Sequence, residues 1–451
     1  MATMDQSILA VAAPSLHADL NATGGQLQLV VAMYTLAFAA LVVIGARLGD
    51  VVGRRRAFVA GLSAFTLASL AGGLAPSPIA LIVARAVQGG AAALMTPQVL
   101  SIIQLQFEGE LRARAIGAYS LVLALGVAAG QIVGGLLVGA HFIHDDWRPA
   151  LLLNAPIGVV VLIAARHGLP DVARGAQRRL DARGAALLAA TLLALVLPLT
   201  FGRDAGWPAW VWGSFAGCAL GFAAFAVLER RVRTRGRDPL FDLDLLRIPG
   251  VAVGVLAVLL VMGCYAGFLL SLTLHLQDAL GFTPLQAGLT FAAYAGGFAA
   301  ASLTWTRAGA ATRDRLPVVG PLLMATALLA VGLLAGGGHW HAALMLPLLC
   351  AGGVGHAWAF SPLANRLTMV VRPDQAADLS GLVLTATFVG TSTGVAAFVG
   401  VYLSLAPHGS AHALAVTTAV LAGVLVVTAA CALRALASQS RGTRVVGETL
   451  G

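Results

Sequence analysis

Residues 45–56 read Gly45-Ala-Arg-Leu-Gly-Asp-Val-Val-Gly-Arg-Arg-Arg56 and stand between two apolar runs, 26–47 and 57–75. A run of about 20 apolar residues is a membrane-spanning helix, because a hydrocarbon core of roughly 30 Å takes that many at 1.5 Å each. The segment is therefore a short connection between two spans. Gly45, Gly49 and Gly53 allow a tight turn and close helix approach. Asp50, at a helix end, seeks a cation or a helix N-terminus, and Arg54, Arg55 and Arg56 hold the turn at one membrane face. A basic turn placed by topology alone would not need this Gly-Asp-Gly-Arg spacing.

The same alternation of apolar run and basic turn continues along the chain. Of 451 residues, 59% are hydrophobic and only 10% charged, with a mean hydropathy of +0.88; a soluble domain carries about 25% charged residues. Hydropathy gives spans near 2–16, 26–47, 57–75, 79–103, 115–140, 149–165, 184–202, 209–228, 249–274, 284–304, 316–336, 342–363, 378–404 and 411–437. Alternate connections collect the arginines: Arg54–Arg56, Arg112 with Arg114, 174–183, 230–237, 307–315, and Arg366 with Arg372. The intervening connections hold only Arg148 and Arg203. The positive-inside rule makes the Arg-rich side cytoplasmic and predicts both termini there. The net charge of +9 thus follows membrane topology and gives no reason to expect nucleic acid. Cys218, Cys264, Cys350 and Cys431 lie far apart inside apolar runs, which fits neither a disulfide framework nor a metal site. The first span, Ala2 to Leu16, measures about 22 Å, so either residues upstream complete it or the start is assigned too late. Two spans, 184–202 and 209–228, sit between six on either side, a six–two–six plan.

Four further features carry chemistry. In Ala84-Arg-Ala-Val-Gln-Gly-Gly-Ala-Ala-Ala-Leu-Met-Thr-Pro97, Arg85 and Gln88 lie within an apolar helix, where an Arg costs about 2.5–3.5 kcal/mol and needs a partner or a cavity. Asp5 can supply one by depth, the plainer alternative being a residue near the cytoplasmic end of a truncated first helix, exposed to water. Asp5 is about 16 Å in from the outer end of its span and Arg85 about 10 Å in, a difference that an Arg side chain can cover. In Gly126-Val-Ala-Ala-Gly130-Gln-Ile-Val-Gly134-Gly135, glycines four apart make a smooth ridge for another helix. Of the ten histidines, His275 near an outer helix end and His356 at mid-span lie inside apolar runs. His356 can titrate near neutral pH and share proton duty with Asp5, although a hydrogen-bonded packing role is the plainer reading for each. Gln28, Tyr34, Gln88, Gln131, His275 and Trp358, with Tyr265, Tyr294 and Trp305, offer a cavity lining suited to a bulky amphipathic molecule held by stacking and few hydrogen bonds.

Other segments belong to the same pattern: Met4-Asp-Gln-Ser-Ile-Leu-Ala-Val-Ala-Ala-Pro-Ser15, Trp147-Arg148 followed by Asn154-Ala-Pro-Ile-Gly158, Gly281-Phe-Thr-Pro-Leu-Gln-Ala-Gly288 and Gly355-His-Ala-Trp-Ala-Phe-Ser-Pro-Leu363. With Gly45–Arg56, Ala84–Pro97 and Gly126–Gly135, they resemble the fourteen-helix drug:proton antiporter branch of the major facilitator superfamily, over essentially the whole chain. Three positions depart from that branch: Ala10 stands where Asn is usual, Gln131 where Pro is usual, and Val51 where a basic residue is common.

The resemblance implies an all-α integral membrane protein of about fourteen transmembrane helices. Its parts would be an N-terminal six-helix bundle (1–166), two accessory helices with a basic linker (167–247), a C-terminal six-helix bundle (248–437) and a cytoplasmic tail (438–451). It implies a secondary transporter, not an enzyme, in a bacterial-type inner membrane. Such a protein exports a small amphipathic molecule against protons by alternating access, as a monomer, with no metal or cofactor and with the proton gradient as energy source. An exporter of an endogenous metabolite or amino acid is the alternative, and a membrane receptor or enzyme the remoter one. Carried over by position, Asp5 is the proton-coupling acid and Arg85 its modulator. Asp50 with Arg54 latches the two halves, Arg55 belongs to the same motif, and Arg112 is an ion partner.

Overall fold

In the computed structural model, the described residues are all except 6–7, 9–18, 21, 23, 140–146, 170–180, 203–204, 236–238, 240–242, 336–339, 373–374 and 449–451. Among them every regular element is a helix. The helices are α1 (Gly24–Val52), α2 (Arg54–Gly73), α3 (Pro78–Gln106), α4 (Gly109–Gly139), the short α5 (Arg148–Leu152) and α6 (Asn154–Gly168). Then come α7 (Ala182–Phe201), α8 (Ala209–Thr234), α9 (Val251–Leu274), α10 (Pro284–Thr304), α11 (Ala310–Ala335) and α12 (Ala342–Val370). The chain closes with α13 (Ala376–Gly394), α14 (Gly400–Leu405) and α15 (Ser410–Glu448). Each apolar run read from the sequence after the first coincides with one of these helices or with two in series; the first, 2–16, falls mostly outside the described residues. Eight helices are long and apolar enough to cross a bilayer over the described residues, or nine if α1, bent by 52°, counts as one span. The last helix runs on to Glu448, through most of the segment expected as a tail, since no proline interrupts it.

The chain divides into two compact units. One comprises Met1–Gln106, Leu125–Leu240 and Thr283–Leu289; the other comprises Phe107–Ala124, Phe241–Phe282 and Thr290–Gly451. Helices α7 and α8 fall in the first unit, where Leu193 and Phe201 of α7 pack on Leu36 of α1. Asp181 caps α7 by accepting from the backbone N–H groups of Arg183 and Gly184, both at 3.1 Å.

In a membrane, helices gain little from burying apolar surface against each other, so close backbone approach through small residues does the packing. The crossing of α1 with α3 shows this. A Cβ at Gly45 would stand 2.2 Å from the Ala93 carbonyl oxygen, and one at Gly49 would stand 1.9 Å from Gln98 Oε1. Gln98 Nε2 uses the gap to donate to the Gly45 carbonyl at 2.8 Å. On the α3 side, a Cβ at Gly89 would stand 2.2 Å from the Tyr34 carbonyl oxygen. Gly89→Ala should therefore push two helix backbones apart at a cost of about 1–3 kcal/mol, seen as a lower thermal unfolding midpoint of the purified protein. An unchanged midpoint would mean that the crossing is looser than these distances state.

Candidate functional site: a buried carboxylate held by an arginine and two amides

The helical residues at the start of the chain bring Asp5 against the first unit's core. Glycines of α4 make room for them: a Cβ at Gly126 would meet Thr3 Oγ1 at 2.3 Å, and one at Gly134 would meet the Ile8 backbone at 3.3 Å. Gly130, between them, is buried. The ridge read from the sequence is thus the seat of the segment that carries Asp5. Met4 and Ile8 join Val30, Leu81, Trp147 and Leu151 in one buried apolar cluster beside it.

Asp5 is fully buried, with 0% exposure, and Arg85 is 1% exposed. One carboxylate oxygen, Oδ2, accepts from Arg85 Nη1. The other, Oδ1, accepts from Asn154 Nδ2 at 2.6 Å and from Gln88 Nε2 at 2.9 Å. Gln88 Nε2 also donates to Ser69 Oγ at 2.5 Å, and its Oε1 accepts from Arg85 Nη1 at 2.8 Å. The guanidinium carbon lies 4.6 Å from the centroid of the Tyr34 ring, and Tyr34 meets Phe65 edge to face at 6.5 Å. Residues 2–8, α1, α2, α3 and α6 each contribute one or two of these groups. A buried charge is tolerable when it is paired and its remaining hydrogen-bonding capacity is filled; here the carboxylate receives three donors. Among the described residues Arg85 Nε and Asn154 Oδ1 have no partner, a spare donor and a spare acceptor in the same cluster. The arrangement sets a buried carboxylate against one guanidinium and two amide donors.

Four predicted residues, Asp5, Arg85, Gln88 and Tyr34, therefore meet. Gln88 and Tyr34, expected in a cavity lining, lie in this cluster, where the ion pair uses the amide and the ring face; both are 1% exposed. Asn154 and Ser69 were not singled out as site residues. Asn154 could have been, as an amide opening an apolar run, whereas a lone Ser on a small-residue helix gives no signal. Asn154→Ala removes a charge-assisted bond worth about 1.5–3 kcal/mol. Its expected outcome is a folded protein with slowed transport, measured as initial efflux rate; wild-type rates would show that the amide is dispensable.

The glycine-rich turn is built as read. Gly53 has φ of 99°, a conformation that suits glycine, and it links α1 to α2. Asp50 accepts from Arg54 Nη2 at 2.8 Å and lies 3.8 Å from Arg47 Nη1. Arg55 Nη2 donates to the Arg166 carbonyl at 2.6 Å, and Arg47 Nη2 to the Pro239 carbonyl at 3.3 Å. Arg112, in the other unit, donates from Nε to the Phe107 carbonyl at 2.8 Å. At the opposite end of α2, Arg148 Nη1 donates to the carbonyls of Gly73 and Ala75 and stacks on Trp147, whose Nε1 donates to Asp19 at 2.8 Å.

The second unit carries the predicted residues His275, His356 and Trp358. His356 of α12 is 3% exposed, and among the described residues neither ring nitrogen has a hydrogen-bond partner. Its imidazole lies 4.7 Å from the rings of Tyr265 and Phe298 and 6.1 Å from Tyr294, centroid to centroid. Gly353, one turn earlier, sets this depth, since a Cβ there would stand 2.0 Å from the Tyr294 carbonyl oxygen. Trp358 is partly buried and packs on Phe298, Ala301 and Ala357. His275 is 1% exposed and opens the π-helical turn His275–Ala279 after α9. The side chains of Gln28 and Gln131, and Gly135 beyond its helical backbone, lie outside the described residues.

Eight spans long and apolar enough to cross a bilayer among the described residues, with a buried acid–arginine pair in the first unit, mark a multi-span membrane protein. The family model for the Major Facilitator Superfamily matches residues 1–395, and the chain belongs to that superfamily, a family of transporters, not of enzymes. It is 35% identical over 402 residues to the probable actinorhodin transporter of Streptomyces coelicolor, covering 88% of this chain and 69% of that protein. It is 38% identical over 415 residues to the cephamycin export protein of Amycolatopsis lactamdurans, covering 88% and 81%. Among solved structures, the proton:xylose symporter XylE superposes with a TM-score of 0.66 at 13% identity, covering 95% of this chain and 91% of that one. That likeness shows the fold alone.

Proposed function

We propose that the protein exports a small amphipathic molecule, an antibiotic or other drug-like compound, from the cytoplasm in exchange for protons. The observation that carries this reading is the occluded Asp5 carboxylate, closed from water and bonded to Arg85, Gln88 and Asn154. An intramembrane acid with named partners that can be released by a proton is the part an antiporter needs. The similarity to proteins named for actinorhodin transport and cephamycin export supports the export direction and a substrate of antibiotic type, including one made by the cell itself.

In this reading Asp5 takes a proton when open to the outside and releases it when open to the cytoplasm, where Arg85 re-pairs with the carboxylate. The Asp50–Arg54 pair steadies the turn between α1 and α2 as the protein alternates, and Arg112 acts as a further ion partner. The glycine ridge of α4 lets the first helical residues shift without losing contact. The protein sits in the inner membrane of a bacterial cell with both termini cytoplasmic. It works as a monomer on the proton gradient, with no cofactor, metal or nucleic acid. The six–two–six organisation makes α7 and α8 accessory to the transport core.

The test uses energised inside-out vesicles containing the protein, challenged with a panel of lipophilic cations and uncharged antibiotics. A compound that collapses the pH gradient, with the effect lost in Asp5→Asn, supports proton-coupled export and names a substrate class. Accumulation of such a compound with no effect on the gradient would count against antiport.

A further inference from the structure

The cluster around His356 lies wholly in the second unit and takes no part in holding Asp5. Leaving a buried polar atom without a partner is costly, and native structures rarely do so without a ligand, a water or a functional reason. Here three such atoms share one aromatic cluster: Nδ1 and Nε2 of His356, and the hydroxyl of Tyr294, which is 4% exposed. The rings around them are ordered as a stacking surface. Tyr265 and Tyr294 stack at 5.8 Å with 24° between their planes, and Phe268 flanks Tyr294 at 6.4 Å.

The chemistry of an occupant follows from what these helices lack. Neither α9, from Val251 to Leu274, nor α10, from Pro284 to Thr304, carries a carboxylate or an arginine, and α12 has neither before Arg366, its one basic side chain there being the His356 imidazole itself. A cation would enter with no carboxylate from these three helices to meet it, and an anion with no arginine. A neutral imidazole offers one donor and one acceptor, and a phenol can do either. Aromatic faces with a few convergent polar atoms are the usual lining of a site for a flat, mostly apolar ligand.

We propose that His356 and Tyr294, with the rings of Tyr265 and Phe298, form a binding subsite for an uncharged, planar aromatic molecule bearing hydroxyl or carbonyl groups, of the phenol or quinone class. This assignment rests on the transporter reading above and narrows its substrate. His356 then contacts the substrate and sets specificity, a role different from sharing the proton with Asp5. Trp358, packed on Phe298, provides a nearby fluorescence reporter.

The test is equilibrium binding to purified full-length protein with no proton gradient, read by tryptophan quenching and checked by calorimetry. The probes are an uncharged dihydroxyanthraquinone, anthracene as the same ring system without polar groups, and tetraphenylphosphonium as a lipophilic cation. His356→Phe keeps an aromatic ring but no hydrogen bonds, and should weaken the dihydroxyanthraquinone about tenfold while leaving anthracene within about twofold. Tyr294→Phe, which deletes one oxygen and should fold in any case, should weaken it about fivefold, as expected for one lost hydrogen bond. His356→Gln, which retains a donor and an acceptor, should recover part of the loss.

Unchanged dihydroxyanthraquinone affinity in Tyr294→Phe, or in folded His356→Phe, would overturn the subsite. So would tighter binding of tetraphenylphosphonium than of the dihydroxyanthraquinone to the wild-type protein. The two readings fail separately. Binding that depends on His356 in a protein that moves no protons counts against antiport alone, whereas proton-coupled export with affinity indifferent to both variants counts against the subsite alone.

Discussion

Arg85→Met should be among the most destabilising single substitutions in the first unit. It leaves the Asp5 carboxylate at 0% exposure with two amide donors but no counter-charge. Breaking a buried ion pair by removing one partner costs about 3–5 kcal/mol, because the remaining charge stays desolvated. It also takes the cation from the face of Tyr34, 4.6 Å away, a contact worth about 2 kcal/mol when desolvated. The check is the unfolding midpoint of Arg85→Met beside that of the double variant Asp5→Asn/Arg85→Met. If the pair is coupled as its geometry implies, the double variant is more stable than Arg85→Met alone, since neutralising the acid removes the orphaned charge. Equal midpoints for wild type and Arg85→Met would contradict the buried pair directly.

Asp5→Asn should abolish proton-linked export while leaving the protein folded and able to bind substrate. The substitution keeps an oxygen to accept from Arg85, its amide N–H can donate to Asn154 Oδ1, and Gln88 keeps Ser69 as an acceptor; the buried Arg85 loses its counter-charge, so the unfolding midpoint falls below that of the wild type. What is lost is the group that exchanges a proton. Gradient-driven efflux should fall at least tenfold, a loss of about 1.4 kcal/mol of coupling or more. Exchange of labelled for unlabelled substrate, which needs no proton, should persist. Measuring both in proteoliposomes separates coupling from binding. Loss of exchange together with efflux would make Asp5 a structural or binding residue instead.

Much of the fold was legible because the bilayer imposes a simple rule on sequence. Long apolar runs must be helices, and the arginines of alternate turns mark one face. The meeting of Asp5 and Arg85 was legible for the same reason: a charge inside such a run needs a partner, and depth along two helices limits the choice. Asn154, which bonds Asp5, and Ser69, which bonds Gln88, were harder to read, because they come from α6 and α2 and reach the cluster only through the packing of several helices. The spacing of three put Gln88 on the face of Arg85, but helices that are apolar on every side give no periodic face, so nothing in the sequence indicated that Tyr34 turns toward the ion pair. His356 shows the converse. Its position at mid-span was plain, but its lack of any hydrogen-bond partner depends on what α9 and α10 place around it, and they place rings.

The measurement that bears most directly on the central claim is proton movement driven by substrate alone. Proteoliposomes containing the protein and a trapped pH indicator, with no imposed pH gradient, would receive a gradient of the compound identified in the vesicle panel. Proton coupling through Asp5 predicts a pH change in the direction opposite to substrate flow, absent with Asp5→Asn. Substrate flux at an undiminished rate with no pH change, or the same pH change in the Asp5→Asn protein, would contradict it.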